Sequence, residues 1–362
     1  MNVLTIIIIF FFSLGALDKI MGDRFGLGPE FEKAFKLFSS MALSMLGMLV
    51  LAPAIGVWLE PFFGWFYNTL GIDPSIIPAS LFANDMGGMT LAQAVCKNSE
   101  IGNFNAFVVS SMMGCVISFT IPFSIGVVQP YQHKELFIGL LCGIVTIPVG
   151  CFVSGFMCGL DFISNILNLL PLIILSVIIV IGLIFAQSVC IKVFSAFGFI
   201  MKVVLILGLV CAMFTFLTKI TINEHFDTLE NASFICVNAC VTLSGALPFM
   251  FVVTKLLSKP LNKLGSLIGI NADSAAGFMS TLVTNAPTFG IMDKMNKKGV
   301  VLNSAFAVSA AFAVGGHLAI TMAFDGRYVL PMLVGKIVSG ITSVALAMLI
   351  YKDKTEYNID NT

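Results

Sequence analysis

Charged residues are scarce in this chain of 362 residues, and aspartate, glutamate, lysine and arginine together make up only 10% of it. Soluble domains carry about 25% of these residues, so a water-exposed globular protein is excluded. The 19 basic and 19 acidic residues also cancel each other. Because no basic excess remains to bind phosphates, nucleic acid is excluded as a partner.

Metal-binding and catalytic motifs are missing as well. The nine cysteines are scattered through apolar segments, with no CxxC pair and no histidine at zinc spacing, and we expect them to be small buried apolar residues. The chain has no H-E-x-x-H segment, and a pairing of Asp85 with His317 is the one catalytic alternative to be weighed. We therefore predict no enzyme, no cofactor and no metal site.

Apolar residues, by contrast, make up 58% of the chain, and the mean hydropathy is +1.01. A membrane-spanning helix needs about 20 apolar residues. This rule predicts an all-α polytopic membrane protein with about eleven spans, and residues 187–202 form an interfacial helix outside them. The predicted spans are 2–20, 38–59, 75–96, 103–128, 135–159, 162–187, 203–220, 232–257, 274–294, 300–324 and 328–351.

The most informative stretch is Asn84-Asp85-Met86-Gly87-Gly88, inside the third predicted span. A charge at bilayer depth costs about 2.5–3.5 kcal/mol, so Asp85 is expected to face a cavity or a partner rather than lipid. The paired glycines weaken the helix at the same point, and broken helices form the binding sites of many transporters. The alternative is an aspartate at the water interface, with the glycines serving close helix packing.

An internal repeat with a period near 200 residues adds a second half to this candidate site. Gly71-Ile72-Asp73, followed by Asn84, resembles Gly269-Ile270-Asn271, followed by Asn285. We predict two pseudo-repeats of about five helices, with broken helices near the midplane and the binding site where the repeats meet. Inverted and parallel repeats both remain open. The predicted regions are a first repeat, 1–160, a linking span and interfacial helix, 161–202, a second repeat, 203–351, and a polar tail, 352–362.

The predicted site therefore combines residues of both halves. Pro287 interrupts the ninth span beside Thr284 and Asn285. The predicted substrate-binding residues are Asn84, Asp85, Gly87, Gly88, Thr284 and Asn285.

Three further ionisable residues are candidates for charge or proton coupling. Lys336 lies too deep in the last span for its side chain to reach water easily, so an acid, Asp85 or Asp273, is expected beside it. His317 follows Gly315-Gly316 in the tenth span and is either a packed residue or a proton carrier.

Aromatic residues cluster at one predicted membrane boundary. Trp58, Trp65 and Tyr67 fit an interfacial aromatic belt, and the alternative is a cage for an ammonium group.

Three runs of sequence carry a resemblance to a known family. They are Ala16 to Glu32 (ALDKIMGDRFGLGPEFE), Ala83-Asn84-Asp85-Met86-Gly87-Gly88 and Thr284-Asn285-Ala286-Pro287. The chain resembles the ethanolamine permeases of bacterial ethanolamine-utilisation operons over essentially its whole length. The resemblance implies a multi-pass inner-membrane protein that admits ethanolamine to cells in which a cobalamin-dependent lyase consumes it.

Ethanolamine suits the predicted site, because its ammonium group needs a carboxylate and its hydroxyl needs a polar partner. Asp85 would bind the ammonium, and Asn84 and Asn285 the hydroxyl. Two mechanisms remain open: a facilitator in which Asp85 exchanges a proton with the amine, and an exchange in which substrate displaces Lys336 from Asp85. The rival functions are a carrier of another small amine or amino acid coupled to Na⁺ or H⁺, and a structural subunit. A homodimer is the expected assembly.

Overall fold

The structure is a computed structural model that describes residues 3–351, except for the side chains of residues 3, 4, 40, 41, 44, 254 and 257–266. The predicted tail, 352–362, lies outside the described residues. Within residues 3–351 the regular elements are helices, and no strand occurs there. The α-helices are α1 Val3–Ile20, α2 Leu27–Trp58, α3 Glu60–Leu70, α4 Ile76–Leu81, α5 Gly88–Val95, α6 Ser99–Phe104, α7 Ile121–Val127, α8 His133–Met157, α9 Phe162–Phe185, α10 Gln187–Thr218, α11 Leu229–Leu267, α12 Ala272–Val283, α13 Ala286–Gly290, α14 Lys297–Ala310, α15 Gly316–Asp325 and α16 Val329–Ile350.

Six helical stretches in the described part are long and apolar enough to cross a membrane, and a seventh is added if Met45–Trp58 and Glu60–Leu70 count as one bent span. The prediction of an all-α, multi-pass membrane protein is confirmed at this level. The count of eleven is not reproduced. The six stretches are Ser99–Val127, Pro130–Met157, Phe162–Phe185, Gln187–Thr218, Leu229–Val253 and Gly316–Ile350.

Two expectations about individual elements need correction. Residues 187–202 are not a separate interfacial helix, because α10 runs unbroken from Gln187 to Thr218. Lys192 and Lys202 do not end it, since a lysine can extend its ammonium toward water along the helix surface. The predicted spans 75–96 and 274–294 are not single helices either, and each of them folds back on itself.

The first hairpin, residues 73–98, consists of α4 and α5 joined at a tip formed by residues 82–87. Its two ends meet at Asp73, whose carboxylate accepts hydrogen bonds from the backbone N–H of Lys97 at 2.9 Å and of Asn98 at 2.8 Å. The same carboxylate accepts the N–H of Ser75. One acid therefore closes the base of the hairpin and leaves the tip at the far end.

The second hairpin, residues 271–296, has the same plan. It consists of α12 and α13, joined at Thr284-Asn285. Two carboxamides close its base: Asn271 Nδ2 donates to the carbonyl of Lys294 at 2.7 Å, and Asn296 Nδ2 donates to that of Gly269 at 2.8 Å. Amide groups thus do at this base what the carboxylate of Asp73 does at the other.

The two hairpin bases lie at opposite ends of α2. Just beyond the C-terminal end of α2, Glu60 forms an ion pair with Lys97 of the first hairpin at 3.4 Å. Near the N-terminal end, Glu30 lines the same cavity as Asp273 of the second hairpin. Because a helix of 32 residues is about 48 Å long, the bases are far apart and the tips point toward each other.

Each tip packs through a glycine against a helix that departs from regular α-helical geometry. In the first, α6 and α7 are joined by π-helical segments over Asn105–Gly114 and Val116–Thr120. In the second, α14 and α15 are separated by residues 311–315. A Cβ on Gly114 would lie 2.0 Å from the carbonyl oxygen of Phe82, and one on Gly315 would lie 2.0 Å from that of Val283. Only glycine allows backbone contact this close at either position.

The corner between α1 and α2 explains the first of the sequence runs quoted above. Asp18 accepts hydrogen bonds from the backbone N–H of Phe25, Leu27 and Gly28, each at 2.8 Å, and so satisfies the free amides at the start of α2. In the first turns of α2, Glu32 accepts hydrogen bonds from Lys19 and Lys36. The bond from Lys19 has the larger effect, and together they lower the pKa of Glu32 to about 2. This run is a structural corner.

Candidate functional site

Asp85 is carried by a turn of backbone that glycine makes feasible. Phe82 and Ala83 are extended, Asn84–Met86 form one 3₁₀ turn, and Gly87 follows at φ 92° before α5 begins. A Cβ on Gly87 would lie 1.8 Å from Met48 Cγ, and one on Gly88 would lie 2.0 Å from the carbonyl oxygen of Phe82. The two glycines predicted to bind substrate therefore shape the turn that presents Asp85.

The Asp85 side chain is 28% exposed, whereas its partner His317 is fully buried. His317 Nε2 lies 3.6 Å from Asp85 Oδ1, which is within ion-pair range but longer than a hydrogen bond. The remaining faces of the carboxylate are open to a cavity. The sequence prediction that Asp85 faces a cavity or a partner agrees with this geometry.

His317 reaches Asp85 because α15 begins at Gly316, one residue before the histidine. Its ring packs against Phe312, with 5.0 Å between ring centroids. Neither ring nitrogen has a hydrogen-bond partner among the described residues. The histidine is therefore held by packing and has unused hydrogen-bonding capacity beside the carboxylate.

The interruption between α14 and α15 is tied to the second hairpin by backbone hydrogen bonds. Phe312 N–H donates to the carbonyl of Thr281 at 3.1 Å, and Val314 N–H donates to that of Leu282 at 2.9 Å. Phe312 adopts φ 60°, which is costly for a bulky residue. These bonds hold Phe312 in that conformation, and its ring lines the cavity at Asp85.

Two neighbouring cavities lie between Asp273 and Asp85. The inner cavity, about 370 Å³, contains Asp85 and Met86 from the first hairpin and Val283 and Thr284 from the second. The outer cavity, about 530 Å³, contains Asp273. The two share four lining residues, Lys33, Leu247, Val283 and Thr284.

The outer cavity opens at the end of the molecule where α2 begins. Asp273 is exposed and lies in the first turn of α12, beside Glu30 and Lys33 at the cavity mouth. Asp273 was expected as a second acid within the membrane, and its position at a helix start facing water does not fit that expectation. The outer cavity therefore has charged residues at its mouth, and the inner cavity contains one partly buried carboxylate.

The structure places the predicted polar residues of the two tips differently. Thr284 lines both cavities. Asn285 is fully buried, and its Nδ2 donates to Thr120 Oγ1 at 3.2 Å. The side-chain oxygen of Asn285, and both polar atoms of the Asn84 amide, have no hydrogen-bond partner among the described residues. The two carboxamides thus lie directly behind the cavity wall with unsatisfied groups.

Among the residues that the structure describes, Lys336 has no ion pair with an acid, contrary to expectation. Its ammonium is buried and donates to three backbone carbonyls, those of Ser111 at 2.5 Å, Ser309 at 3.1 Å and Ala311 at 2.9 Å. Within residues 3–351, the ion pair of Asp85 is with His317. The proposed displacement of Lys336 from Asp85 by substrate therefore has no starting contact in this structure.

The aromatic residues at the site are not the predicted ones. Trp58, Trp65 and Tyr67 are exposed by 54%, 60% and 41% on the outside of the molecule, as an interfacial belt would be. Phe119 and Phe312 line the inner cavity, with 5.5 Å between their ring centroids.

Sequence reasoning overlooked these two phenylalanines and the break at 311–315. Gly315-Gly316 is a second glycine pair next to an ionisable residue, as Gly87-Gly88 is next to Asp85. That pattern was the available signal for the break. Phenylalanine is too frequent in the chain, at 34 residues, for any one of them to stand out.

The site has the chemistry of a small cation receptor. One carboxylate, a hydroxyl and two aromatic rings line the inner cavity, together with Lys33, whose ammonium is paired with Glu30 at 3.2 Å. Ammonium groups are bound by carboxylates and by ring faces. Among the described residues, no group of three or more histidine, cysteine, aspartate and glutamate side chains is placed to hold a metal ion.

Comparison with known proteins gives consistent matches over nearly the whole chain. The family model described as "Ethanolamine utilisation protein, EutH" matches residues 1–350. A protein of Listeria monocytogenes named probable ethanolamine permease EutH is 39% identical over 347 residues, covering 96% of this chain and 93% of its own. The protein of that name from Escherichia coli is 32% identical over 388 residues, with 96% and 95% covered.

A Bacillus subtilis protein, the uncharacterised YxeR, is 34% identical over 337 residues, covering 93% of this chain and 91% of its own. No solved structure matches.

Proposed function

Because the chain belongs to the EutH family of ethanolamine utilisation proteins, we propose that it carries ethanolamine across a membrane through the cavities that lead to Asp85. The observation that carries this proposal is a partly exposed carboxylate, Asp85, in a cavity that residues of both hairpin tips line. The relatives are named permeases, and the proposed activity is transport rather than catalysis.

The ammonium group of ethanolamine would bind Asp85. A charge-assisted hydrogen bond from an ammonium to a carboxylate is about twice as strong as a neutral one. Phe119 and Phe312 add ring faces on the same cavity. A small primary ammonium ion is therefore the favoured guest over an anion or a neutral sugar.

The hydroxyl group would bind the second hairpin. Thr284 lines the cavity, and the unsatisfied amides of Asn84 and Asn285 lie directly behind the tips. A buried polar group without a partner costs about 1–3 kcal/mol, so a small opening that lets substrate reach these amides would be favourable. Asp85 and the second tip would thus bind opposite ends of one small molecule.

We propose that the two hairpins are the cores of two inverted repeats. Their bases lie at opposite ends of α2, and each is followed by an irregular helix, π-helical in the first repeat and interrupted in the second. Asn105 donates to Ser75 Oγ of the first hairpin at 2.9 Å, and Asn303 donates to the Ser274 carbonyl of the second at 2.9 Å. These contacts support the sequence period near 200, and inverted repeats provide alternating access to a site between them.

The transport mode proposed is facilitated diffusion. Asp85 and His317 form a pair that can hold a proton beside the amine, so the neutral amine could pass while its proton stays behind. The second acid that a coupled carrier would use is not at this site, since Asp273 is exposed at the cavity mouth. Coupling to Na⁺ or H⁺ is therefore not favoured.

The proposed location is the bacterial cytoplasmic membrane, and the proposed assembly is a homodimer. The six apolar helices support a multi-pass protein. Cross-linking of the purified protein in lipid nanodiscs, followed by mass measurement, tests the dimer.

Uptake of labelled ethanolamine by proteoliposomes tests the function. We expect saturable uptake that neither an inward Na⁺ gradient nor an inward H⁺ gradient, with the acid side outside, drives above the external concentration. A facilitator of the neutral amine accumulates it only on the more acidic side. Empty liposomes are the control. Concentrative uptake with one of the gradients would establish the coupled carrier, and an absence of uptake under all conditions would contradict the proposal.

A further inference from the structure

The ammonium of Lys336 lies in a nest of backbone carbonyls. Its three acceptors come from two irregular helical segments. Ser111 belongs to the π-helical segment Asn105–Gly114, and Ser309 and Ala311 lie at the end of α14. Lys336 is among the largest fully buried side chains of the molecule. A buried charge is stable only when its hydrogen bonds are satisfied, and here all three N–H donors are used.

These carbonyls are available because both helices are irregular at this point. Ser309 and Ala311 lie at the end of α14, where the last carbonyls have no intrahelical partner. Ser111 lies in the π-helical segment Asn105–Gly114. The end of a helix also carries a partial negative charge, so the nest attracts cations.

Nests of this kind bind alkali cations in membrane carriers, where carbonyls of unwound segments and half-helix ends coordinate Na⁺. We propose that Lys336 is a built-in cation that occupies an alkali-ion site between the π-helical segment Asn105–Gly114 and the end of α14. The lysine is covalently attached and cannot leave during transport. It therefore stabilises both irregular segments permanently, without binding or releasing an ion.

This inference extends the proposed transport function, because it explains how uptake can be independent of Na⁺ and K⁺. In a coupled carrier, ion binding at such a nest orders the broken helices and enables substrate to bind. Here the order is permanent. Ser339 sits close to Lys336 on α16 and donates to Ser309 Oγ at 2.7 Å, so the same region offers a neutral matched control.

Removal of the lysine should convert the nest into an ion-dependent site. We would purify wild type, Lys336→Ala, Lys336→Met and Ser339→Ala, and measure the thermal unfolding midpoint in choline chloride, then with added NaCl or KCl. Lys336→Ala leaves both space and carbonyls, and we expect its midpoint to rise by about 5 °C with one of the ions, as a bound ligand stabilises the folded state. The unfolding midpoints of wild type, Lys336→Met and Ser339→Ala should change by less than about 1 °C when NaCl or KCl is added, since none of these proteins offers an empty nest.

Uptake provides the second measurement. Ethanolamine uptake by wild type should be the same within about two-fold in Na⁺, K⁺ and choline media, while uptake by Lys336→Ala should increase with the ion that stabilises it. Wild-type uptake or stability that requires Na⁺ or K⁺ would overturn the proposal, as would a Lys336→Ala midpoint that responds no more than that of wild type.

Two further outcomes keep the test decisive. If Lys336→Ala yields no folded protein, two other variants test the need for a cation. Lys336→Arg should remain folded, and Lys336→Met should not. A Lys336→Met variant as stable as wild type would overturn the proposal. The unfolding measurement needs no transport, so a failure of the proposed ethanolamine uptake leaves the ion test of Lys336 intact.

Discussion

The two hairpins have the same backbone plan and different chemistry. In each hairpin, polar side chains hold the two ends together at the base. Each tip packs against a glycine of an irregular helix. The first tip carries the carboxylate of Asp85, whereas the second carries the neutral Thr284 and Asn285. A shared scaffold therefore holds one charged and one uncharged binding surface face to face.

This difference matches an unsymmetrical guest. Ethanolamine has an ammonium at one end and a hydroxyl at the other, so two equal tips would bind it poorly. A second carboxylate would also place two like charges in one cavity, and one of them would then take up a proton. In the proposed binding mode, the asymmetry of the tips would give ethanolamine one preferred orientation.

The largest expected effect would come from breaking what the hairpins share. Gly114→Ala and Gly315→Ala each place a Cβ 2.0 Å from a backbone carbonyl oxygen, and we expect a loss of about 3 kcal/mol or more, with little folded protein recovered. Gly126→Ala is the control, because nothing lies within 4 Å of its Cβ. Size-exclusion profiles and unfolding midpoints measure the result. If Gly315→Ala is as stable as Gly126→Ala, the packing of the second tip is not as described.

Removal of the charge from the first tip should have the next largest effect. Asp85→Asn keeps the shape of the side chain and removes its charge, so we expect uptake to fall about 100-fold, as a charge-assisted hydrogen bond of 2–3 kcal/mol is lost. Asp273→Asn, at the cavity mouth, is the matched control and should retain most of the activity. Normal uptake by Asp85→Asn, measured in proteoliposomes, would remove Asp85 from the site.

A smaller effect is expected at the second tip. Thr284→Val replaces the hydroxyl with a methyl group of similar size and should raise the KM for ethanolamine about five- to ten-fold, the equivalent of one neutral hydrogen bond. Competition by ethylamine, which lacks the hydroxyl, should be unaffected. If ethylamine competition weakens in parallel with ethanolamine uptake, Thr284 supports the fold rather than the hydroxyl.

The smallest effect is expected at His317. Its contact with Asp85 is 3.6 Å long, beyond a normal hydrogen bond. We therefore expect His317→Gln to lower uptake only about three- to five-fold, as for a weak ion pair, because Asp85 is left to hold the proton. Initial rates in proteoliposomes at several pH values measure it. Complete loss of uptake in a stable variant would mean that the histidine has an essential role in proton transfer.

The break in the helix at Asp85 was predictable from the sequence, because an aspartate beside two glycines is unusual in an apolar segment. The period near 200 residues led to the prediction that Thr284 and Asn285 lie opposite it. The hairpins were not predictable: a segment of about 20 apolar residues satisfies the length rule for a span whether it crosses or returns. The return depends on Asp73 meeting Lys97 and Asn98, contacts that only the folded chain defines.

The prediction of an acid beside Lys336 failed for a related reason. A buried lysine predicts an acid only if side chains are the available partners. Carbonyls become available where helices are irregular, and the break at 311–315 was not predicted. Local sequence therefore indicated a buried cation correctly and its partners wrongly.

The central claim is that Asp85 binds the ammonium end of the substrate, and a distance measurement tests it most directly. Solid-state NMR can recouple ¹⁵N of labelled ethanolamine with ¹³C of labelled aspartate carboxylates in the membrane-embedded protein. We predict a contact of about 3.5 Å, as expected for an ammonium bonded to a carboxylate, which disappears in Asp85→Asn. A bound substrate without that contact, or a contact that persists in Asp85→Asn, would contradict the account.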